Sequence, residues 1–192
     1  LIFNGNSLAV NTTTTSGGRY NVYTSNGGKV VINGGEFSFS RKDLKRAYVY
    51  ANPGTEVIIN GGTFGKASTR SDYKAGILGE GKVIINAGKF GFDPTKWVSK
   101  NSLVMKVGNE WIVTSDKLSV VLANAEDRTI YLAEGYDYGT VTAGKLKNVT
   151  IVANDSAAVR FVTTADSKLE NVTIKNAEFE YSTGAGQAGA FV

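Results

Sequence analysis

Residues 29–37, 56–64 and 82–90 read KVVINGGEF, EVIINGGTF and KVIINAGKF, three apolar runs that each stop at an asparagine, at steps of 27 and 26 residues. Alternation along an extended chain puts Val30, Val57 and Val83 on one face with Ile32, Ile59 and Ile85, and Val31, Ile58 and Ile84 on the other. Upstream, NVYTSNGGK (21–29), YVYANPGTE (48–56) and GILGEGK (76–82) each supply a short apolar strand and a glycine turn. The pattern predicts two or three short strands per repeat, with no helical periodicity between them. A repeat of this size made only of short strands cannot bury its own apolar face, so it must stack on a copy of itself. The opening LIFNGNSLAV reads as a degenerate earlier member, with Ile2, Asn4 and Gly5 imitating the I-N-G step.

Stacking puts equivalent residues in rows. Phe37, Phe64 and Phe90 are expected to form an internal aromatic column. Asn33, Asn60 and Asn86 are expected at a costly-to-bury corner, where an amide tolerates left-handed backbone and bonds its counterpart in the next repeat. The competing reading makes them sugar-binding or catalytic amides. The outward row Val31, Ile58 and Ile84 is expected either beneath a loop or cap, or in a subunit contact.

Polar insertions at 38–47 and 65–75, with NTTTTSGG at 11–18, read as lateral loops that distinguish one repeat protein from another. The first holds the tight basic group Arg41, Lys42, Lys45 and Arg46. After Phe90 the pattern changes: Asp93 and Pro94 predict a turn, Lys96 to Val98 a strand, and Gly108 and Asn109 a hairpin loop with Trp111 on the return strand. Trp97 and Trp111 are expected to be packed aromatics of a cap, sugar platforms being the other reading. A second array follows, in which RTIYLAEG (128–135), NVTIVAND (148–155) and NVTIKNAEFE (171–180) align Ile130, Ile151 and Ile174 at steps of 21 and 23. AVRFV (158–162) and AFV (190–192) read as further strands. The predicted organisation is an array over 1–91, a capping junction over 92–114, and the start of a second array over 115–192.

Composition narrows the chemistry. Glycine at 23 residues against 2 prolines favours short strands and tight turns. With neither cysteine nor histidine, thiolate sites, disulfides and the commonest general base are excluded. No apolar run approaches the roughly 20 residues of a membrane span. Through Thr114 the chain has 14 Lys and Arg against 7 acids, and beyond it 7 against 10, so +7 is followed by −3. The cations are scattered, which predicts a solvated surface with one basic loop and no specific nucleic-acid partner. Asp72, Asp93, Asp127, Asp137, Asp155 and Asp166 fall at unrelated phases of the repeat. The nearest pairs are Glu178 with Glu180 and Glu126 with Asp127, and neither gives an aligned carboxylate pair across a groove. Thr150 and Thr173 align, but no T-x-T array appears. The expectation is a chain with no catalytic, metal or cofactor residues.

The V-x-I-N-G-G-x-F phrases, the run GKFGFDPTKWV leading into NEWIV, and TIYLAEGYDYGTV resemble repeats of right-handed parallel β-helices of the pectin-lyase-like kind, found in phage virions and on bacterial surfaces. The resemblance covers most of residues 19–181, although the first three repeats are long and Ala87 replaces a glycine. It implies an all-β fold, a right-handed parallel β-helix or β-solenoid in two arrays joined by a capping hairpin. The expected role is a non-catalytic virion fibre or tail component, associating as a homotrimer or with other virion proteins. The alternatives are a bacterial surface adhesin that binds a host ligand or glycan, and a fragment of a polysaccharide lyase or hydrolase.

Overall fold

The computed structural model describes residues 1–5, 7–10, 18–39, 45–154 and 157–179, with the backbone alone at 7–10 and 178–179. It is almost entirely β, and it divides into two compact units, Leu1–Ser102 with Asn109–Thr114, and Leu103–Gly108 with Ser115–Val192.

The first unit repeats in threes. After β1 (Ile2–Phe3) and β2 (Ser7–Val10) come β3 (Arg19–Thr24), β4 (Lys29–Ile32) and β5 (Glu36–Phe39). The next repeat holds β6 (Arg46–Ala51), β7 (Glu56–Ile59) and β8 (Thr63–Lys66), and the third β9 (Ile77–Gly79), β10 (Lys82–Ile85) and β11 (Gly88–Gly91). Each of the strands β1 to β8 pairs in parallel with the strand three places later, giving the sheets β1–β4–β7–β10, β2–β5–β8–β11 and β3–β6–β9. Equivalent residues therefore sit opposite one another, and Ile32, Ile59 and Ile85 form a fully buried row. Inside the corner before this row, the buried hydroxyls of Thr24 and Thr55 lie 2.6 Å apart, and Thr55 donates to the Asn52 carbonyl.

In the first member, Phe3 lies opposite Ile32 and Ile2 opposite Val31, so Phe3 and not Ile2 takes the inward level. An amide bond between Asn4 and Asn33 fixes that register, and Ile2 is left 64% exposed. The glycine pair also divides its work. Gly35, Gly62 and Gly88, the second of each pair, have φ of +109°, +110° and +141°. The first position does not need positive φ, which is why Ala87 can stand there.

Between Phe92 and Ser102 local turn chemistry overrides the strand expected at Lys96–Val98. Asp93 Oδ1 accepts from both the amide and the hydroxyl of Thr95, and Thr95–Trp97 winds into a single 3₁₀ turn. Val98 then bridges Ile85, Ser99 N–H donates to the Ile85 carbonyl, and the Ser102 hydroxyl donates to the Asn86 carbonyl. Two strands follow on either side of a turn at Gly108, whose φ is +56°: β12 (Leu103–Val107) belongs to the second unit and β13 (Glu110–Thr114) to the first. Strand β13 runs antiparallel along β11 with Trp111 opposite Phe90, so the free edge of that sheet is paired.

The second unit holds β12, a one-turn helix α1 (Leu118–Val121) with Leu118 and Val121 buried, and the strands β14 (Asn124–Leu132), β15 (Asp137–Ala153), β16 (Ala158–Lys175) and β17 (Glu178–Phe179). The last four pair in parallel and β12 runs antiparallel to β14. Ile130, Ile151 and Ile174 are in register. AVRFV is not a separate strand but the first part of β16. Its ladder with β15 continues through an irregularity between Ala143 and Lys145 and past a left-handed bend at Asn148, on either side of which the register is the same. Among the described residues no helix is long and apolar enough to cross a membrane.

Candidate functional site

The asparagines follow β4, β7 and β10 directly, and their side chains form one chain of bonds. Asn86 Nδ2 donates to Asn60 Oδ1 at 2.8 Å, Asn60 Nδ2 to Asn33 Oδ1 at 2.8 Å, and Asn33 Nδ2 to Asn4 Oδ1 at 2.7 Å. The row lies at the surface rather than in a buried corner, Asn33 and Asn60 being exposed and Asn86 half-buried. Its amides are engaged with one another. A second ladder, not foreseen from the sequence, runs in the second unit: Asn171 Nδ2 donates to Asn148 Oδ1 at 3.0 Å, and Asn148 Nδ2 to Asp127 Oδ1 at 2.7 Å. All three have φ of +51° to +52°. The signal was present in the paired NVTI phrases, each opening on the asparagine, with Asp127 one repeat earlier.

Phe37, Phe64 and Phe90 are fully buried and stacked, with ring centroids 4.5 and 5.1 Å apart and planes within 4°. Outside the wall, Val31, Ile58 and Ile84 lie opposite one another and are half-buried, and Ile2 extends the row at its exposed end. Beside it, Glu56 lies between Lys29 and Lys82, with Nζ–Oε distances of 2.6 and 3.0 Å. Bonds from these two lysines hold the Glu56 carboxyl below its ordinary range. The second unit has the opposite arrangement. There Lys147 lies in register between Glu126 and Glu170, its Nζ 3.4 Å from Glu126, and the bond to Glu126 followed by the charges around it raises its pKa.

The basic loop is not one surface. Arg41 and Lys42 lie outside the described residues. Lys45 is half-buried, 3.9 Å from Asp72. Arg46 opens β6 and is 4% exposed, because its guanidinium donates to the carbonyls of Lys66 and Ala67 and lies over the Phe39 ring. It is a core arginine that holds β6 to the chain after β8.

A further feature that sequence reasoning missed is on the sheet β3–β6–β9. Tyr23 and Tyr50 are opposite each other, with centroids 5.7 Å apart and planes 23° apart. Tyr20 lies 4.8 Å from Tyr50 and 5.8 Å from Tyr23. It also lies 6.4 Å from Tyr73, with hydroxyls 3.3 Å apart. Tyr23 is 57% exposed. Burial, then the bond to Tyr73 and the neighbouring phenols, push the Tyr20 pKa up, so its ring stays neutral. Tyr23 and Tyr50 stand at the same place in NVYTS and YVYAN, a step of 27 that marked them as a row.

No family model matches the chain, and neither a curated protein nor a solved structure matches it.

Among the described residues the carboxylates are not gathered into a cluster of three or more. Among the described residues no three of His, Cys, Asp and Glu come together where a metal ion could be held. The pair Glu178 and Glu180 lies partly outside the described residues. A groove of about 740 Å³ in the second unit has Asp137, Thr140, Arg160 and Asn176 in its walls. Trp97 and Trp111 are half-buried, Lys96 lying over the Trp97 ring at 5.7 Å. Thr129, Thr150 and Thr173 are in register but form a single file.

Proposed function

We propose that the chain is a right-handed parallel β-solenoid that serves as a non-catalytic structural or adhesive scaffold, and that its setting is the fibre or tail of a phage virion. The observation that carries this reading is the parallel pairing of each of the strands β1 to β8 with the strand three places later, with equivalent residues stacked row upon row. Such stacking satisfies backbone groups from repeat to repeat and leaves the side chains of each face available for contact. A homotrimer is the proposed assembly. The row Ile2, Val31, Ile58 and Ile84 supports it, since a contiguous apolar stripe outside the core suits contact between copies. Sedimentation equilibrium on the purified chain tests the assembly, with three copies expected. Ile58→Lys should shift the mass to one copy while circular dichroism keeps its strand signal. A native chain that sediments as a monomer removes the trimer. A second reading, a bacterial surface adhesin, is favoured by the outward tyrosines.

A further inference from the structure

We propose that Tyr20 and Tyr73 are a site of oxidative coupling, joined ring to ring by a carbon–carbon bond when a peroxidase and hydrogen peroxide act on the chain. The proposal goes beyond the scaffold reading and does not depend on the trimer, because β3, which carries Tyr20, and the Val31 row lie on different sheets.

The chain has no cysteine, so a disulfide is not a route to a covalent staple between its repeats. Phenols offer another. A phenoxyl radical shares its unpaired electron with the ring carbons on either side of the C–O carbon, and two such radicals join there. The pair poised for that bond is the one whose hydroxyl edges meet, not the one whose ring centres are closest. Tyr20 and Tyr73 have hydroxyl oxygens 3.3 Å apart and planes 17° from parallel. Gly18 leaves the room for them, since a Cβ there would run into both hydroxyls. By ring centres alone two other pairs are closer. Tyr136 and Tyr138 are 4.7 Å apart, but their planes stand at 65° and the Tyr138 hydroxyl is turned to the Ala133 N–H at 2.8 Å. Tyr50, 4.8 Å from Tyr20, is tilted at 52° and sits on β6, the strand paired with β3.

The two partners are mounted differently. Tyr20 is on β3, which pairs along its length with β6. Tyr73 ends the 3₁₀ turn Ser71–Tyr73, none of whose residues is buried, in the lateral insertion at 65–75. One ring is held while the other has room to travel the remaining distance and to meet the oxidant.

In the coupling step each phenol loses one electron to the peroxidase and its hydroxyl proton to water, and the two radicals join ortho carbon to ortho carbon. The hydrogen on each joined carbon then moves to the oxygen, restoring both phenols. Hydrogen peroxide takes up the two electrons and two protons and becomes two waters. The product links residues 53 apart in sequence, tying β3 to the turn that leads into β9. A link across so long a loop restricts the unfolded chain and so favours the folded one.

Peroxidase and hydrogen peroxide added to a dilute solution of the whole chain test this, read by dityrosine fluorescence, intact mass and peptide mapping. One product is expected, lighter by two hydrogen atoms, with the peptides of Tyr20 and Tyr73 joined. It should run as a single copy on a denaturing gel and melt above the untreated chain. Tyr20→Phe and Tyr73→Phe, which keep the rings and remove only the hydroxyls, should each lose the product, and Tyr136→Phe should retain it. A link from Tyr136 to Tyr138 or from Tyr20 to Tyr50 in its place overturns the proposal, and so do links formed only between copies. A product that survives Tyr73→Phe overturns it as well, as does the absence of dityrosine from a chain that circular dichroism shows to be folded.

Discussion

Gly62 and Gly34 look interchangeable in the repeated phrase, yet the backbone asks different things of them. Gly62 has φ of +110°, and a Cβ there would lie 3.0 Å from the Gly35 carbonyl oxygen of the repeat before it. Gly34 has neither constraint, with nothing within 4 Å of a Cβ. Gly62→Ala should therefore cost about 1–3 kcal/mol, the strain of forcing a side chain into that region. Gly34→Ala should stay within about 0.5 kcal/mol. Urea unfolding of the two variants decides it, and equal losses would contradict the assignment of positive φ to the second glycine. The asparagines are a different kind of residue. Because water reaches them, their ladder fixes which level faces which more than it satisfies buried groups, and Asn4 shows this by setting the register of β1.

At the scale of the strand, register makes charge rows as well as apolar ones. Lys29, Glu56 and Lys82 alternate along one edge of β4, β7 and β10, and Glu126, Lys147 and Glu170 alternate in the second unit with the signs reversed. The Glu56 carboxyl is held down by its two lysines, so its contribution is fully present above the ordinary carboxylate pKa and is lost as pH falls through the lower folded value. Lys147 has the opposite sense, its contribution being lost only as pH rises through its raised pKa. Glu56→Gln should melt below the native chain at neutral pH, and the gap should close as pH falls past about 4. A gap that stays constant with pH would show that the lysines do not act through the carboxylate charge.

These rows were legible because period and alternation are written in the sequence: the Phe column, the Ile wall and the outward Val31 row follow from position alone. Three features were not legible. The strand expected at Trp97 became a 3₁₀ turn because Asp93 bonds Thr95, a local competition that apolar spacing does not register. Arg46 went to the interior because carbonyls of Lys66 and Ala67, twenty residues on, receive its guanidinium. The tyrosine column depends on β3 lying against β6 and on Tyr73 reaching Tyr20, and the second of these contacts has no period.

For the whole molecule, stability is a sum over levels within each unit, and levels with neighbours on both sides should open last. In the first unit β7 lies between β4 and β10, and Phe64 is stacked on both faces. At the end of the same sheet β1 pairs with β4, with Leu1 84% and Ile2 64% exposed. The second unit has the same gradient: Val149 and Ile151 are fully buried in β15, whereas Val172 and Ile174, opposite them in β16, are only half-buried. Hydrogen exchange read by mass spectrometry should find the amides of β7 and of residues 149–151 slowest, and those of β1 and residues 172–174 faster. Phe64→Ala should accelerate exchange in β7 and β8 first, because the ring it removes supports the levels above and below. Uniform exchange across β1, β4 and β7 would mean that the first unit opens as one body, and the level-by-level account of its stability would fail.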